Sequence, residues 1–446
     1  MNPSASSTGD VPVHPPGFRA RRGLNWGFLG LLYTSFYLCR YNLSIANKSI
    51  SDEFHFTRAD MGQIITTALL AYACGQIING LLTDRLGGKK AMLIGAAGTI
   101  VMNVLFGVAS FWGILGLFVS LRGVDGYLQA FGAPGMIKIN TAWFAQRERG
   151  RFAGIYGFMI NLGRFGIFKI GPALLAGFTF LGLIRIPPLH WRWLFWIPSL
   201  VCALVAVAMA FIVKETPEEA GFPGCGSEAI PDQPGVTTDF DSILKKIVTN
   251  PVVWITACAY ACTGAVRQSV DQWFPRFMQE VHHMDMKSAQ FQFLGFLIPF
   301  VSSTGSLVSG YISDTLFRGR RAPVAAALYF LETIVILAAA QFHSANAAIF
   351  FLILISFTAN STHSILGTAA AMDIGGRKMA GFASGVIDSF QYFGGSLAGY
   401  YLGGLLDRGW GNYFYFMAPF GVLGGILMLF IRGHVTTEAK QKEIVR

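Results

Sequence analysis

Long continuous hydrophobic segments recur along the whole chain, and short polar stretches separate them. Each segment is about 20 residues long, enough for an α-helix to cross a bilayer core of roughly 30 Å. The segments do not alternate apolar with polar residues as barrel strands do, so helices are predicted. About twelve spans are predicted, near residues 24–45, 60–83, 89–109, 112–137, 151–181, 193–213, 250–275, 290–314, 322–341, 346–370, 380–405 and 412–432.

The composition also indicates an all-α membrane protein. Hydrophobic residues make up 53% of the chain and charged residues 13%, and the mean hydropathy is +0.49. Soluble domains are about a quarter charged. The six cysteines lie mostly within apolar segments and show no CxxC or metal-ligand spacing. No metal or other cofactor is therefore expected.

The positive charge is distributed unevenly between the loops. With the N-terminus inside the cell, 21 of the 34 Lys and Arg residues lie in cytoplasmic tails and loops, and seven lie on the opposite face. This bias follows the positive-inside rule and predicts that both termini are cytoplasmic. The net charge of +10 thus reflects membrane topology, not nucleic-acid binding. A multi-pass protein of a bacterial inner (plasma) membrane is expected.

Two similar segments divide the chain into halves. "GLLTDRLGGKKAML" at 80–93 and "GYISDTLFRGRRAPV" at 310–324 both read G-x-x-x-D followed by a basic cluster, 230 residues apart. A repeat of six spans explains them. The predicted organisation is a disordered tail (1–22), a six-helix bundle (23–214), a Pro- and Gly-rich cytoplasmic linker (215–247), a second six-helix bundle (248–433) and a tail (434–446).

Each half carries one arginine deep in its first span. Arg40 lies in "YLCRYN" and Arg267, 227 residues later, in "VRQSVDQWFP". Equivalent positions of two pseudo-symmetric bundles face each other, so both guanidinium groups are expected to meet near the midplane. Arg at the centre of a membrane helix costs about 2.5–3.5 kcal/mol, which favours a functional role, and its planar fork fits phosphate oxygens. The alternative is a structural arginine that snorkels to the interface or pairs with Asp271.

Other charges near the midplane leave alternatives open. Arg122 and Asp125, three residues apart, can pair with each other or contact an anion. Arg164 adds positive charge with no acid nearby in the sequence. Asp388 is the candidate carboxylate, which either balances the arginines or carries a proton. His363 is either a proton site or a hydrogen-bonded packing residue.

The basic clusters after the second and eighth spans are candidate gates. Asp84 with Arg85 and Lys89, and Asp314 with Arg318, can tie neighbouring helix ends together on the cytoplasmic side. Such pairs would hold one side shut and break as the halves move. The alternative is that these charges are simply solvated.

These motifs resemble the major facilitator superfamily and, within it, the organophosphate:phosphate antiporters, over nearly the whole chain. "GLLTDRLGGKK" is similar to the superfamily's loop 2–3 motif, with Gly88 where Arg is usual. "GYLQAFGAPG", "AWFAQRERG", "SDTLFRGRRAP" and "MDIGGRKMAGFASG" are similar to further segments of the family. The resemblance implies that Arg40 and Arg267 are the two phosphate-binding arginines.

Three positions depart from the glycerol-3-phosphate transporter pattern. Tyr41 and Gln76 stand where that pattern has Lys, and Ile160 stands before Asn161 where it has His. A different phosphorylated or phosphonate compound is therefore expected as substrate.

We expect a monomeric secondary transporter in a lipid bilayer, which exchanges an organic phosphate for inorganic phosphate by alternating access. Arg40 and Arg267 are expected to clamp the phosphoryl group. The rest of the site is predicted to include Tyr41, Gln76, Gln129, Asn161 and Arg164.

Two other functions stay open. A proton-coupled symporter of organic carboxylates would use Arg122 as anion site and Asp388 as proton site. A transporter-like sensor of sugar phosphates would bind without transport. No nucleophile–base set, nucleotide loop or metal set is present in the sequence, so an enzyme is not expected.

Overall fold

The computed structural model describes residues 15–144, 149–180, 183–223, 249–317, 321–370 and 385–431. The helices of the first half are α1 (Phe18–Phe54), α2 (Arg58–Leu86), α3 (Gly88–Ala109), α4 (Leu115–Gln129), α5 (Gly132–Trp143), α6 (Arg149–Ala176) and α7 (Trp193–Ile212). Those of the second half are α8 (Pro251–Glu280), α9 (Ala289–Thr315), α10 (Arg321–Ala339), α11 (Ala345–Ser364), α12 (385–396), α13 (Tyr400–Asp407) and α14 (Asn412–Phe430).

Three short elements complete the described chain. A hairpin of β1 (Phe178–Phe180) and β2 (Ile184–Ile186) joins α6 to α7, and its strands pair antiparallel. A 3₁₀ turn, Glu218–Ala220, follows α7. A π-helical turn, Ile365–Ala370, continues α11.

The predicted twelve-span, two-bundle architecture is confirmed. Each predicted span overlaps at least one helix of the described residues. The fifth span was predicted too long, because Phe178–Phe180 form β1; the fourth span is split into α4 and α5, and the described part of the eleventh into α12 and α13. Eight helices of the described chain are long and apolar enough to cross a membrane. Neither α1 nor α8 is among them, because Arg40, Arg267 and other polar residues lower their hydropathy, and both helices are buried along most of their length.

Helix packing repeats between the halves. In the first half α2 packs along α4, and α3 and α1 pack on α7. In the second half the corresponding pairs are α9 with α11, α10 with α14 and α8 with α14. The halves meet where α1 packs on α8, α2 on α13 and α6 on α9. The repeat predicted from the loop motifs is therefore present in the packing.

Side-chain caps fix where several helices begin. At the start of α2 the Thr57 side chain accepts from the Asp60 amide, and the Asp60 carboxylate accepts from the Thr57 amide. Asn250 caps α8 directly before Pro251, which lacks an amide hydrogen and suits the first helical position. Ser288 and Ser344 cap α9 and α11.

Glycines let α8 and α12 approach at backbone distance. A Cβ atom on Gly264 would collide with the main-chain carbonyl of Gln391, and one on Gly394 with that of Ala261. Both contacts are to backbone atoms, which cannot turn aside as a flexible side chain can. Small residues at such crossings allow close van der Waals packing in membranes.

The first helix begins earlier than the predicted end of the N-terminal tail at residue 22. Residues 18–22, predicted to belong to a disordered tail, form the first turn of α1. At the same end of the bundle, Asn25 accepts from the Lys214 amide at 2.7 Å. The Gly88 amide donates to Glu215 at 2.5 Å, and the Phe222 ring packs against Phe18. Lys214 and the start of the predicted linker, residues 215–222, thus pack on the first bundle, and this end is called the linker end below.

Replacing Gly264 with alanine is predicted to lower stability. The added methyl group must push α8 away from α12, and overpacking of this kind costs about 1–3 kcal/mol. The apparent Tm of detergent-purified protein, followed by tryptophan fluorescence, should fall. Gly80→Ala is the matched control, because a Cβ atom there meets no atom within 4 Å. Equal Tm values for the two variants would contradict the packing described for Gly264.

Candidate functional site

Arg40 lies within a cage of tyrosines in the middle of α1. Its guanidinium carbon is 4.2 Å from the ring centre of Tyr72 and 4.6 Å from that of Tyr37. Its Nη1 donates to the Tyr392 hydroxyl at 3.3 Å, and its Nε donates to Gln129 Oε1 at 2.9 Å. The side chain is 8% exposed, and its Nη2 has no acceptor among the described residues. Arg40 therefore keeps hydrogen-bonding capacity that no described protein group uses.

Asp271 of α8 is shared by two arginines. Arg164 Nη2 donates to its Oδ1, and Arg267 Nε lies 3.8 Å from its Oδ2. The Tyr41 hydroxyl donates to Oδ2 at 3.2 Å, and Arg164 also donates to Asn161 Oδ1 at 3.2 Å. The Nε atoms of both arginines have no hydrogen-bond acceptor in the described part of the chain. One carboxylate thus balances two buried guanidinium groups.

The arginine that is hydrogen-bonded to Asp271 is not the one that the sequence suggested. Arg267, four residues earlier on the same helix, was the expected alternative partner. The hydrogen-bonded partner is instead Arg164 of α6, in the other half, and Arg267 stays at the longer distance. Arg164, which has no acid nearby in the sequence, finds its carboxylate across the interface. Arg164 and Asp271 therefore join the two halves.

Arg122 and Asp125 form an ion pair at 2.8 Å. Arg122 also donates to the main-chain carbonyls of Cys39, at 3.1 Å, and of Arg40. Gln129 donates to both Asp125 oxygens at 3.0 Å while its own carbonyl accepts from Arg40. Both sides of the pair therefore hold α1 and the Arg40 side chain in place. Of the two interpretations left open by the sequence, the geometry favours the pair over direct anion contact.

Helix α2 of the first half and helix α12 of the second half contact each other through two pairs of polar side chains. Gln76 Nε2 donates to Asp388 Oδ2 at 3.0 Å. One turn along each helix, the rings of Tyr72 and Tyr392 lie 4.3 Å apart. Asp388 is within electrostatic range of both Arg267 and Arg40. Asp388 of α12 thus lies near the two arginines, where either role considered from the sequence, charge balance or proton binding, stays a prediction.

The tyrosines Tyr37, Tyr72 and Tyr392 were not predicted from the sequence. A spacing signal was nevertheless available. Tyr72 lies four residues before Gln76, and Tyr392 lies four residues after Asp388. Residues four apart share a helix face, so a face that presents Gln76 or Asp388 also presents the tyrosine.

His363 makes a packing contact. Its Nδ1 lies 2.5 Å from the Tyr260 hydroxyl, and the two rings are stacked with centroids 5.5 Å apart. This geometry fits the hydrogen-bonded packing interpretation of His363.

Helices α1 and α8 run side by side in the same direction. The Tyr41 hydroxyl donates to the Asp271 carboxylate. The Ser44 hydroxyl donates to the main-chain carbonyl of Asp271 at 2.7 Å. Further along, Arg276 donates to Asn47 at 2.8 Å. Contacting residues are thus 227–230 positions apart, which matches the spacing between the repeated motifs. Equivalent positions of the two first helices therefore face each other at similar depth, as the pseudo-symmetry predicted.

An ion-pair network joins the halves at the end of the bundle opposite the linker end, here called the Arg58 end. Arg58 Nη2 donates to Glu280 at 2.5 Å, and its amide donates to Asp407 at 2.8 Å. Glu280 also accepts from Arg276 at 2.5 Å and from Trp410 at 2.9 Å. These contacts link the start of α2 to the ends of α8 and α13, so the structure is closed at the Arg58 end.

At the linker end, Asp84 does not pair with the residues that were predicted to form a gate with it. Asp84 lies 3.3 Å from Lys138 of α5, and not in an ion pair with Arg85 or Lys89. Arg85 is exposed, and Lys89 is partly exposed. Asp84 and Lys138 belong to the same half, so this pair fixes α2 to α5 and does not bridge the halves. The Asp314 side chain and Arg318 lie outside the described residues.

The buried arginines of the centre are compensated unevenly. Asp125 neutralises Arg122, and Asp271 is divided between Arg164 and Arg267. In the described chain no carboxylate lies within ion-pair distance of Arg40. No group of three His, Cys, Asp or Glu side chains able to hold a metal ion occurs in the described ranges.

Comparison with known proteins identifies relatives over almost the whole chain. The family model described as Major Facilitator Superfamily matches residues 29–399. The membrane sensor protein UhpC of Salmonella typhimurium is 27% identical over 420 residues, which cover 89% of this chain and 88% of that protein. A probable hexose phosphate transport protein of Chlamydia trachomatis is 26% identical over 425 residues, with 90% and 88% covered.

A solved structure shares the fold. A bacterial homolog of the human lysosomal transporter Spinster, in an inward-facing and unoccupied conformation, superposes with a TM-score of 0.71. The aligned region covers 96% of this chain and 97% of that one, at 17% sequence identity. At this identity the likeness concerns the fold alone.

Removing the shared carboxylate is predicted to destabilise the protein, and removing one of its partners as well should restore stability. Asp271→Asn leaves Arg164 and Arg267 without compensation, and breaking a buried pair in this way costs about 3–5 kcal/mol. Its apparent Tm should therefore fall below that of the wild type. The double variant Arg164→Gln/Asp271→Asn removes one of the stranded charges and should melt at a higher temperature than Asp271→Asn. A double variant that is less stable than the single one would contradict the pairing.

Proposed function

The chain belongs to the Major Facilitator Superfamily, and we propose that it is a secondary active transporter that exchanges an organic phosphate or phosphonate for inorganic phosphate. Membership in this transporter family agrees with the expectation that the chain is not an enzyme. The relative from Chlamydia trachomatis is named for hexose phosphate transport, which supports a phosphorylated substrate.

The observation that carries this proposal is the charge imbalance at the centre. Arg40 has no carboxylate partner in the described chain and a free Nη2, while Arg164 and Arg267 share Asp271. A phosphoryl dianion supplies two negative charges and several acceptor oxygens in one small group. Guanidinium forks bind such oxygens by charge-assisted hydrogen bonds, which are about twice as strong as neutral ones.

In this proposal Arg40 and Arg267 hold the phosphoryl group from the two halves. The group competes with Asp271 for Arg267 and takes the free hydrogen bonds of Arg40. Gln129 and the tyrosine cage orient Arg40 before the anion arrives, which lowers the entropy lost on binding. Tyr41, Gln76, Asn161 and Arg164 are proposed to contact the rest of the substrate.

Alternating access follows from the position of the anion between the halves. In the structure the Arg58 end is closed by Arg58, Glu280 and Asp407. We place both termini in the cytoplasm of a bacterial inner membrane, so the closed Arg58 end faces outward and the substrate enters from the cytoplasm in this state. Movement to the other state rearranges the interface that holds the buried arginines, and a bound dianion lowers the barrier by reducing their repulsion. An empty carrier keeps that repulsion, which favours exchange over net flux.

Exchange predicts a requirement for phosphate on both sides of the membrane. Radiolabelled inorganic phosphate should enter liposomes loaded with unlabelled phosphate much faster than liposomes without it, because the empty carrier returns slowly. Hexose phosphates, phosphoglycerates and phosphonates added outside should compete, and the strongest competitor indicates the substrate. Equal entry with and without internal phosphate would reject exchange.

Conservative substitution of either proposed clamp arginine should abolish most of this exchange. Arg40→Lys or Arg267→Lys keeps the charge but removes the planar fork, and losing a hydrogen bond to a charged group costs about 1.5–3 kcal/mol. We therefore expect about a 10²-fold loss of exchange rate for each variant. Arg408→Lys, at an exposed position of the Arg58 end, is the control and should exchange like the wild type. Wild-type exchange by Arg40→Lys would contradict the proposed clamp.

A second candidate function is sensing, because one relative of similar identity is named a membrane sensor protein. A sensor would bind the organic phosphate through the same arginines without carrying it across. Binding that raises the apparent Tm in the wild type but not in Arg40→Lys, together with no exchange in liposomes, would favour this alternative.

A further inference from the structure

Glu332 is a buried acid that lies outside the central site. It stands near the middle of α10, "RAPVAAALYFLETIVILAA", and its side chain is fully buried. Neither carboxyl oxygen has a hydrogen-bond partner within the described ranges. Neither the motifs nor the exchange described above require an acid at this position.

The hydroxyl of Thr358, a polar neighbour of Glu332, is bonded elsewhere. Thr358 of α11 interacts with the carboxyl group, but its hydroxyl donates to the main-chain carbonyls of Leu354, at 3.2 Å, and Ile355, at 3.0 Å. Its single hydroxyl hydrogen is therefore used within α11. An ionised carboxylate only accepts hydrogen bonds, and Glu332 has no donor among the described residues.

Ionisable groups around Glu332 supply no positive charge. The Cys262 thiol of α8 is within electrostatic range. Tyr329, three residues earlier on α10, directs its hydroxyl to the Ala259 carbonyl and to Thr263, the latter at 2.6 Å. Helix α14, which packs along α10, contains no Asp, Glu, Lys, Arg or His over Asn412–Phe430. The only such residue of α11 is His363, whose Nδ1 is bonded to Tyr260.

The first half offers an internal comparison. Asn103 of α3 stands 229 positions before Glu332, close to the offset between the halves. It is also buried, but its amide is satisfied, since Oδ1 accepts from Asn42 at 2.8 Å and Nδ2 donates to the Thr99 carbonyl at 3.0 Å. The first half thus has a bonded neutral amide where the second half has an acid without a donor.

We propose that Glu332 is a proton-binding site, occupied in this conformation. An ionised carboxylate here would be buried with neither a donor nor an opposite charge, which is strongly unfavourable. The site takes a proton as its ligand and is separate from the anion site.

Its position connects the proton to the packing of the second half. Glu332 lies among α10, α11 and α8, and α8 also carries Arg267 and Asp271. α11 continues into the π-helical turn Ile365–Ala370, and such turns often mark functional segments. Loss of the proton would disfavour this packing, so transport should depend on the protonation of Glu332. This second step rests on the proposed function.

Infrared spectroscopy of the purified protein tests the proton-binding site without any substrate. At pH 7 an ordinary glutamate, with a pKa of about 4.3, is ionised. The wild type should show the carbonyl band of a protonated carboxylic acid, and this band should be absent in Glu332→Gln. Glu218→Gln, which removes an exposed acid at the linker end, is the control and should leave the band unchanged. Identical wild-type and Glu332→Gln spectra at pH 7 would overturn the proposal.

A second variant covers the case in which Glu332→Gln does not fold. Thr358→Val keeps the acid and removes the neighbouring hydroxyl, so the band of the protonated acid should persist. If neither the wild type nor Thr358→Val shows a protonated acid, the proposal is wrong.

The pH dependence of phosphate exchange tests the coupling. Wild-type exchange should fall at alkaline pH as Glu332 loses its proton, while Glu332→Gln, which stays neutral, should lack that fall. Matching alkaline profiles of the two proteins would overturn the coupling. If neither protein exchanges phosphate at any pH, the proposed function fails, and the infrared result still decides whether Glu332 binds a proton.

Discussion

The arrangement of this membrane protein depends on one constraint, which is that a guanidinium group stays charged even when it is buried. Arg40, Arg122, Arg164 and Arg267 all lie within the helical core, and their charges are compensated in three different ways. Arg122 has its own carboxylate, Asp125. Arg164 and Arg267 divide Asp271, and Arg40 relies on tyrosine rings and an amide oxygen. This uneven compensation is the basis for proposing that the centre binds an anion.

The same constraint joins the two halves. Asp271 of the second half compensates Arg164 of the first, and Tyr392 of the second half contacts Arg40 of the first. The central electrostatics thus belong to the interface and not to either bundle alone. In the proposed mechanism an anion bound there would contact both halves.

The sequence predicted the fold and part of the candidate site. Apolar segments of membrane length gave the spans, and the repeated loop motifs gave the two halves. Arg40 and Arg267 were found because charge within an apolar segment is rare, and their equal offset placed them on facing helices. The pairing of Arg164 with Asp271, the tyrosine cage and the ion pairs of the Arg58 end were not found. Each of these contacts joins helices far apart in the sequence, so it depends on helix rotation and tilt that periodicity does not determine.

The most direct test of the anion clamp is a nuclear magnetic resonance measurement of the coupling between phosphorus and arginine nitrogen. Protein with ¹⁵N-labelled arginine is reconstituted in lipid and saturated with inorganic phosphate. With hydrogen bonds of about 2.8 Å from nitrogen to oxygen, guanidinium nitrogens should lie about 4 Å from phosphorus. A clamp formed by Arg40 and Arg267 predicts a dipolar coupling of this range that weakens in Arg40→Lys and also in Arg267→Lys. A coupling that is absent, or unchanged in both variants, would contradict it.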